Sequence, residues 1–327
     1  MNKDLNTNFC IVGSGPAGSV LAKKLAEKGI QCILVEAGSL DDKHIKQPCF
    51  DKINIDKDYQ INLNSSYQVG GASNLWSGKM HTLDEIDFIK RPYIKNFTWP
   101  FKKIKLISYY KKASKILSLP NKDNFNNFFL STLKIKKNNT ISIKNVYTAN
   151  KPHNFKYFFK KKNYRLKNLK ILTDSKVISL SQDVKNKKIS YINIKDKKLN
   201  NFKIFAKNFI LACGGVEIPR VLLNSKNKNF PLGIGNQHGN VGKYFSTHPK
   251  GNLGVAIINK ETKFKLHRNK YISKGFLRAG IVLPHKIMIK KKIINHFVEF
   301  YPYKEDEYIF KGLQKLKKIK SFFGYKE

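Results

Sequence analysis

Arginine is nearly absent from this chain of 327 residues, although the chain is strongly basic. Lysine and arginine together number 63 against 22 acidic residues, for a net charge of +41, yet only five of the 63 are arginine. Arginine is the residue that reads bases and holds phosphates through paired hydrogen bonds. Its scarcity argues against a nucleic-acid partner. The scattered lysines predict at most a weak association with anionic surfaces such as a membrane.

Long apolar runs and clustered metal ligands are missing as well. No apolar stretch reaches the ~20 residues that cross a bilayer. The first apolar strand pattern begins near residue 9, which leaves no room for a signal peptide. The cysteines show no CxxC spacing, and the eight histidines form no HxxxH cluster. We therefore expect no metal site, a cytoplasmic location and reduced thiols at Cys10, Cys32, Cys49 and Cys213.

The clearest motif present is FCIVGSGPAGSVLAKKLAEKGIQCILVEAG, residues 9–38. An apolar run leads into Gly13-x-Gly15-x-x-Gly18 and then into a stretch with helical periodicity, which predicts a strand, a tight turn and a helix. The first glycine of such a motif permits the turn, the second admits a pyrophosphate, and the third lets helix and strand pack closely. The N-terminus of the helix then faces the phosphates with free N–H groups.

Glu36 lies 18 residues after Gly18, at the end of the next apolar strand pattern. A carboxylate at this position accepts hydrogen bonds from a ribose diol and repels a 2′-phosphate. The motif therefore predicts an adenosine dinucleotide without that phosphate. NAD and FAD both satisfy this condition.

Patterns further along predict the remaining elements. Gly38–Asn64 is polar and irregular, whereas Ile104–Leu117 has helical spacing. Alternating segments predict an antiparallel hairpin or meander, and the strand, glycine turn and helix pattern then recurs. The alternating segments are Leu169–Leu180, Lys188–Lys195 and Phe202–Leu211, and residues 208–212 are expected to form a strand that returns to the parallel sheet. The repeated strand, glycine turn and helix pattern includes CGGVEIPRVLLNS, residues 213–225.

The C-terminal segment IFKGLQKLKKIKSFFGYKE, residues 309–327, has the pattern of an amphipathic basic helix. Such a helix either packs on the rest of the fold or lies on a membrane surface. We favour packing, because a charged face is usually just solvated.

A second glycine-rich loop, VGGASNLWSGKMHTLDEIDF at 69–88, follows the first motif. Together with the VGSGPAG…LVEAG unit and LACGGVEIPRVLLNS…GNVGKYFSTHP, it resembles the glucose-methanol-choline family of FAD-dependent oxidoreductases. The likeness is greatest to the sugar-dehydrogenase and pyranose-oxidase-like branches, which also carry elements similar to Trp99-Pro100 and Tyr109-Tyr110. It covers most of residues 8–250, so the chain resembles the N-terminal three-fifths of a family member.

The resemblance implies a set of cofactor contacts. The pyrophosphate would lie on Gly13, Ser14, Gly15 and Gly18, the adenosine ribose on Glu36 and Ala37, the adenine on the backbone of Val177, and the adenosine half near Ala212, Gly214 and Glu217. The isoalloxazine ring would be lined by Gly70, Gly71, Ser73, Asn74 and Trp76. A flat ring needs close backbone approach, which glycines allow, so the second loop favours FAD over NAD. Leu75 stands where the pyranose-oxidase branch has a flavin-linked histidine, which implies non-covalent FAD.

The implied fold is α/β: a Rossmann-like FAD/NAD(P)-binding fold with a parallel central sheet and an antiparallel meander. A second, incomplete substrate (cap) domain would accompany it. The FAD-binding domain would comprise residues 1–90 and 165–250, and the cap domain residues 91–164 and 251–327.

The implied reaction is oxidation of a CH–OH group of an alcohol or sugar, with hydride transfer to flavin and then to an unknown electron acceptor. In the family, a His paired with His or Asn in a C-terminal segment takes the hydroxyl proton, and nothing after Val298 resembles that segment. His81 is a weak candidate within this chain, and His248 matches a structural position.

Two hypotheses therefore stand. The first is an FAD-dependent alcohol or sugar dehydrogenase or oxidase, truncated here or completed by another polypeptide. The second is a catalytically inactive FAD-binding fragment. The second glycine loop disfavours a flavin-free NAD reductase.

Overall fold

A computed structural model describes residues 4–40, 66–94, 99–117, 119, 141–149, 154–159, 166–183, 188–248, 251–255, 270–272 and 275–301. The chain divides into two compact units, and each unit is built from two segments. Unit one comprises Met1–Ser77 and Pro152–Leu253, and unit two comprises Gly78–Lys151 and Gly254–Glu327. That these units serve as an FAD-binding and a cap domain stays a prediction.

Eleven strands and four α-helices lie in the described residues. The strands are β1 (Leu5–Val12), β2 (Cys32–Val35), β3 (Lys79–Met80), β4 (Ser142–Ala149), β5 (Leu169–Leu172), β6 (Ser175–Asp183), β7 (Lys188–Asp196), β8 (Asn201–Leu211), β9 (Lys270–Ile272), β10 (Gly275–Val282) and β11 (Val298–Glu299). The helices are α1 (Pro16–Glu27), α2 (Ile107–Ile116), α3 (Gly214–Asn224) and α4 (His285–Lys290).

Unit one contains a six-stranded sheet in the order β5-β2-β1-β8-β7-β6. The first four strands are parallel neighbours, whereas β8, β7 and β6 form an antiparallel meander. This arrangement confirms the predicted α/β fold with a parallel central sheet and an antiparallel meander.

The centre of the parallel sheet, β2 and the C-terminal half of β1, is apolar on both faces. β2, with the sequence CILV, is fully buried, which is typical of a parallel strand covered on both sides. On one face, Ile11 and Leu34 pack with Ala22 of α1. On the other face, Cys10 and Ile33 join a core cluster that extends to the meander. The sheet is thereby fixed between two apolar layers.

β8 differs from the sequence-based expectation. It is one strand of 11 residues instead of separate pieces near 202 and 208. Its first half pairs with β7, while the strand from Ile204 to Leu211 pairs in parallel with β1. Because one strand serves both parts of the sheet, its pattern mixes the alternation of the meander with the apolar run of the parallel half.

Unit two contains an antiparallel sheet in the order β11-β10-β4-β3, with β9 also paired to β10. Leu277 and Ala279 of β10 are buried on one face. The helix predicted at 104–117 is confirmed as α2, which follows a 3-10 turn at Lys103–Leu106.

Among the described residues, no helix is both long enough and apolar enough to cross a bilayer. Two sequence-based expectations lie outside the described residues. They are the amphipathic helix at 309–327 and the part of the irregular segment from 41 to 64.

Candidate cofactor-binding site

The first glycine turn joins β1 to α1 and requires its glycines for packing. A Cβ on Gly13 would lie 2.7 Å from the Ala212 carbonyl oxygen, and a Cβ on Gly18 would lie 1.9 Å from the Gly13 carbonyl oxygen. Gly15 is different, because nothing lies within 4 Å of a Cβ built on it. Gly15 caps α1 without a side-chain hydrogen bond, and no acidic residue occupies the first turn. The turn therefore offers an open backbone face beside the positive end of a helix dipole.

The second glycine loop lies directly against the first turn. Gly70 and Gly71 have φ values of 100° and 54°, the left-handed region that favours glycine. A Cβ on Gly71 would lie 3.0 Å from the Cα of Gly15. The two glycine-rich segments identified in the sequence are thus in backbone contact.

A third turn, at Ala212–Gly214, completes the arrangement between β8 and α3. The Ala212 N–H donates to the Val12 carbonyl oxygen (2.7 Å), and Gly214 has a φ of 87° with open space around its Cβ position. β1, β2 and β8 are parallel, so their carboxyl ends lie at one edge of the sheet. In open α/β sheets, ligands bind outside that edge. The three turns therefore mark the expected position of a cofactor.

Glu36 lies at the same edge and is only 6 % exposed. Its Oε2 accepts hydrogen bonds from the Ser14 N–H (2.9 Å) and the Ser14 hydroxyl (2.6 Å), and its Oε1 accepts one from the Gly38 N–H (3.0 Å). Burial raises the pKa of this carboxyl above its ordinary value, and the hydrogen bonds from Ser14, Gly38 and Ala37 oppose the increase. Glu36 therefore stabilises the first turn by accepting hydrogen bonds from Ser14, a role that the sequence did not predict.

Glu217, predicted near the adenosine half, belongs to a charged network in unit one. Its carboxylate accepts hydrogen bonds from the Tyr67 hydroxyl (3.0 Å) and from Arg220 Nε (2.5 Å). Arg220 also donates through Nη2 to the carbonyl oxygen of Val177 (3.0 Å), and Val177 is itself buried. Sequence reasoning did not identify Arg220, although its i,i+3 spacing from Glu217 on α3 was a usable signal.

This network alters the acidity of its neighbours. Burial and then the negative charge of Glu217 raise the pKa of the Tyr67 hydroxyl above its ordinary value. The same two causes raise the pKa of the Cys213 thiol to about 11. Both groups therefore stay protonated at neutral pH, and neither supplies a general base there.

The polar residues of the second loop hold the loop itself. The Asn74 amide donates to the carbonyl oxygens of Val69 (3.2 Å) and Gly71 (2.9 Å). Ser73 is buried, and the Trp76 ring lies 6.5 Å from that of Phe155, centroid to centroid. Leu75 is 54 % exposed, and its correspondence to the flavin-linked histidine of the pyranose-oxidase branch stays a prediction.

His81 belongs to unit two, whereas the three turns belong to unit one. Its ring is exposed, and its Nδ1 contacts the Thr82 carbonyl oxygen. None of the histidines that the structure describes is buried; they are His81, His238, His248, His285 and His296. Within the same described ranges, no group of three or more His, Cys, Asp or Glu side chains could hold a metal ion.

Comparison with known proteins supports the assignment of the first motif. A family model described as an FAD binding domain matches residues 6–50. Over 92 residues the chain is 34% identical to the fructose dehydrogenase large subunit of Gluconobacter japonicus, an alignment that covers 28% of this chain and 16% of that protein.

Two solved structures are similar at low identity. Pyridoxine 4-oxidase from Mesorbium loti matches with 16% identity and a TM-score of 0.42 over 67% of this chain and 52% of its own. A fungal aryl-alcohol oxidase matches with 14% identity and a TM-score of 0.47 over 69% and 48%. The chain spans about half the length of these structures. The sequence matches confirm that this chain resembles the FAD-dependent oxidoreductases of the glucose-methanol-choline type, with an FAD-binding segment at its first glycine turn.

Proposed function

We propose that this chain binds FAD without a covalent link and forms the cofactor-holding part of an oxidoreductase that acts on a CH–OH group of an alcohol or sugar. The observation that carries the proposal is the meeting of the two glycine loops, with Gly71 in backbone contact with Gly15 beside the N-terminus of α1, which has no side-chain cap. A dinucleotide that reaches from a phosphate cradle to a second glycine loop fits this arrangement.

Each part of the site would take one part of FAD. Gly13, Ser14, Gly15 and Gly18 would hold the pyrophosphate, and Gly70, Gly71, Ser73, Asn74 and Trp76 the isoalloxazine ring. The adenosine would lie near Glu36, Ala37, Val177, Ala212, Gly214 and Glu217. Bound FAD would supply the hydride acceptor, while these residues bind and orient it. Because Leu75 has no nucleophilic atom, the bond to the flavin would be non-covalent.

Glu36 would select the cofactor by charge. Its carboxylate is buried at the end of β2, where a 2′-phosphate would meet a negative group in a poorly solvated site. Protein donors already occupy both of its oxygens, so a ribose hydroxyl would share or replace one of these contacts. We therefore expect FAD to be preferred over nucleotides that carry a 2′-phosphate.

The cofactor proposal is tested by the visible spectrum of the purified protein and by FAD titration. A Gly15→Ala variant would fold normally, because its Cβ meets nothing within 4 Å, but it would hinder approach of the pyrophosphate. We expect its FAD affinity to fall by roughly tenfold, or about 1.4 kcal/mol. Gly251→Ala is the matched control, since the space around Gly251 is also open. A protein that shows no flavin absorption once FAD has been added and the unbound FAD removed would contradict the proposal. Equal FAD affinities in the two variants would also contradict it.

A second candidate function is an FAD-binding module without turnover, and the exposure of the described histidines favours it. Each of the described histidines is at least partly exposed, so none is held in a water-excluded site. Mixing the FAD-loaded protein with alcohols and sugars in the absence of oxygen separates the two candidates. Loss of the oxidised-flavin bands with any substrate supports the enzyme, and unchanged bands with every substrate support the module.

The thiols support a reducing, cytoplasmic location as part of the proposal. Cys10, Cys32 and Cys213 are free, and burial raises the pKa of the Cys10 thiol to about 12. A thiol that stays protonated and buried reacts slowly. We propose no nucleic-acid partner, and only a weak, salt-sensitive attraction of the lysines to anionic membranes.

A further inference from the structure

Two short series of buried hydrogen bonds meet at Gly70, one ending at Glu36 and the other beginning at Phe155. The Ser14 hydroxyl donates to Glu36 Oε2 (2.6 Å) and accepts from the Gly70 N–H (3.0 Å). The Ser73 hydroxyl donates to the Gly70 carbonyl oxygen (2.6 Å) and accepts from the Phe155 N–H (3.0 Å). Gly70 is thus held on its N–H by one serine and on its carbonyl by the other.

The hydrogen bonds of both series point in the same direction. Each hydroxyl uses its single proton toward Glu36 and receives the next donor on its oxygen, so neither can be reversed without losing a bond. In the series that runs from the Gly70 N–H through the Ser14 hydroxyl to Glu36, the two consecutive hydrogen bonds polarise each other. Here the end acceptor is the Glu36 carboxylate, which lies in the part of the site assigned to adenosine.

Gly70 lies in a tight turn in which the Gly71 N–H donates to the Gln68 carbonyl oxygen (2.8 Å) and the Ser73 N–H donates to the Gly70 carbonyl oxygen (3.2 Å). Its φ of 100° is in the left-handed region that glycine adopts readily, and it has no side chain that could anchor this turn. The space beside it is closed, because a Cβ there would lie 2.6 Å from the backbone nitrogen of Lys156. The two serine hydroxyls add side-chain contacts to the two peptide groups that flank the Gly70 Cα, Ser14 to the preceding group and Ser73 to the following one.

We propose that Ser14 and Ser73 are positioning residues that couple the two ends of the cofactor site. The Ser14 hydroxyl fixes the second loop relative to Glu36, because it hydrogen-bonds to both the Glu36 carboxylate and the Gly70 N–H. This inference rests on the proposed FAD function. It assigns Ser14 a task beyond the pyrophosphate: Ser14 orients the loop that would line the flavin ring, although it belongs to the phosphate turn.

A comparison of FAD with ADP tests the inference, because ADP would occupy the adenosine and pyrophosphate parts without reaching the second loop. Ser14→Ala removes the acceptor of the Gly70 N–H, while the Ser14 N–H still donates to Glu36. We expect FAD affinity to fall roughly tenfold and ADP affinity to fall less than about threefold. Ser73→Ala would show the same split, and both variants would alter the circular dichroism of the bound flavin.

Ser225→Ala is the matched control. Ser225 is equally buried, and its hydroxyl likewise donates to a carbonyl, that of Val221 (2.6 Å), and accepts from an N–H, that of Leu180 (2.8 Å). Its loss would lower stability but leave the ratio of FAD to ADP affinity and the flavin signal unchanged.

The outcomes separate this inference from the function on which it rests. If the unaltered protein binds neither ADP nor FAD, the proposed function fails. If it binds both, and Ser14→Ala weakens both by the same factor, the coupling is wrong. Should Ser14→Ala not fold, Ser14→Cys retains a weaker hydrogen-bonding group of similar shape, and equal losses for FAD and ADP in that variant would again overturn the inference.

Discussion

The two glycine loops of unit one are held in place by different means. The first turn is fixed by its immediate elements: the Gly13 N–H donates to Val35 of β2 (2.8 Å), and the Ser19 N–H donates to Gly15 in the first turn of α1 (2.9 Å). The second loop has local hydrogen bonds from Ser73 and Asn74, and it is also held from far along the chain, by Ser14 at a separation of 56 residues from Gly70 and by Phe155 at 82 residues from Ser73. The main-chain bonds of the first turn therefore come from β2 and α1, the next elements along the chain, whereas the second loop depends in addition on side-chain bonds between residues far apart in sequence.

The largest effect is expected where the first turn allows no side chain. Gly18→Ala would place a Cβ 1.9 Å from the Gly13 carbonyl oxygen, so backbone must move. Overpacking of this kind costs about 3 kcal/mol or more of unfolding free energy. Urea unfolding would show it, with Gly15→Ala as a control that changes stability by less than about 0.5 kcal/mol. Equal midpoints would mean that the turn is looser than its contacts indicate.

The second loop should tolerate a side chain only slightly better. Gly70→Ala combines a φ of 100° with a Cβ 2.6 Å from the Lys156 nitrogen, and we expect a loss of about 2–3 kcal/mol. Gly29→Ala isolates the backbone contribution, because Gly29 has a φ of 78° but open space, and should cost about 1 kcal/mol. The two losses are compared by thermal or urea unfolding. If they were equal, steric closure around Gly70 would contribute nothing.

The smallest loss of stability is expected at Tyr67, just before the second loop. Tyr67→Phe removes the hydroxyl that donates to the Glu217 carboxylate, and a hydrogen bond to a charged group contributes about 1.5 kcal/mol. Tyr93→Phe removes a hydroxyl that donates to a neutral carbonyl, that of Ile293 (3.2 Å), and should cost about 1 kcal/mol or less. Urea unfolding measures both losses. A larger loss at Tyr93 would show that the charge of Glu217 does not strengthen its contact.

The local half of this comparison could be predicted from the sequence, and the non-local half could not. The strand, turn and helix around Gly13–Gly18 follow from apolar periodicity and glycine spacing within thirty residues, and so did α2 and the meander. The link from Ser14 to Gly70 has no such signal, because a serine hydroxyl suits many partners and only the tertiary fold selects one. Arg220 was missed for a related reason, since its carbonyl partner on Val177 belongs to a distant strand.

Glu36 shows a further limit of motif reading. Its position after the second strand predicts a ribose contact, and that contact stays a prediction. The hydrogen bonds to Ser14 and Gly38 reveal a second task, which depends on how far the carboxylate is buried. Burial is a property of the assembled sheet, and spacing along the chain does not report it.

The long reach of β8 has a consequence for how the protein is made. β1 needs β8 as its neighbour, yet β8 begins at Asn201, almost 190 residues after β1 ends. At about 5–20 residues per second, a ribosome needs roughly 10–40 s to deliver it. During that interval one edge of β1 lacks its partner strand, and such an edge invites pairing with other chains. Chaperones that cover the nascent β1–β2 pair for this interval should therefore raise the yield of soluble protein.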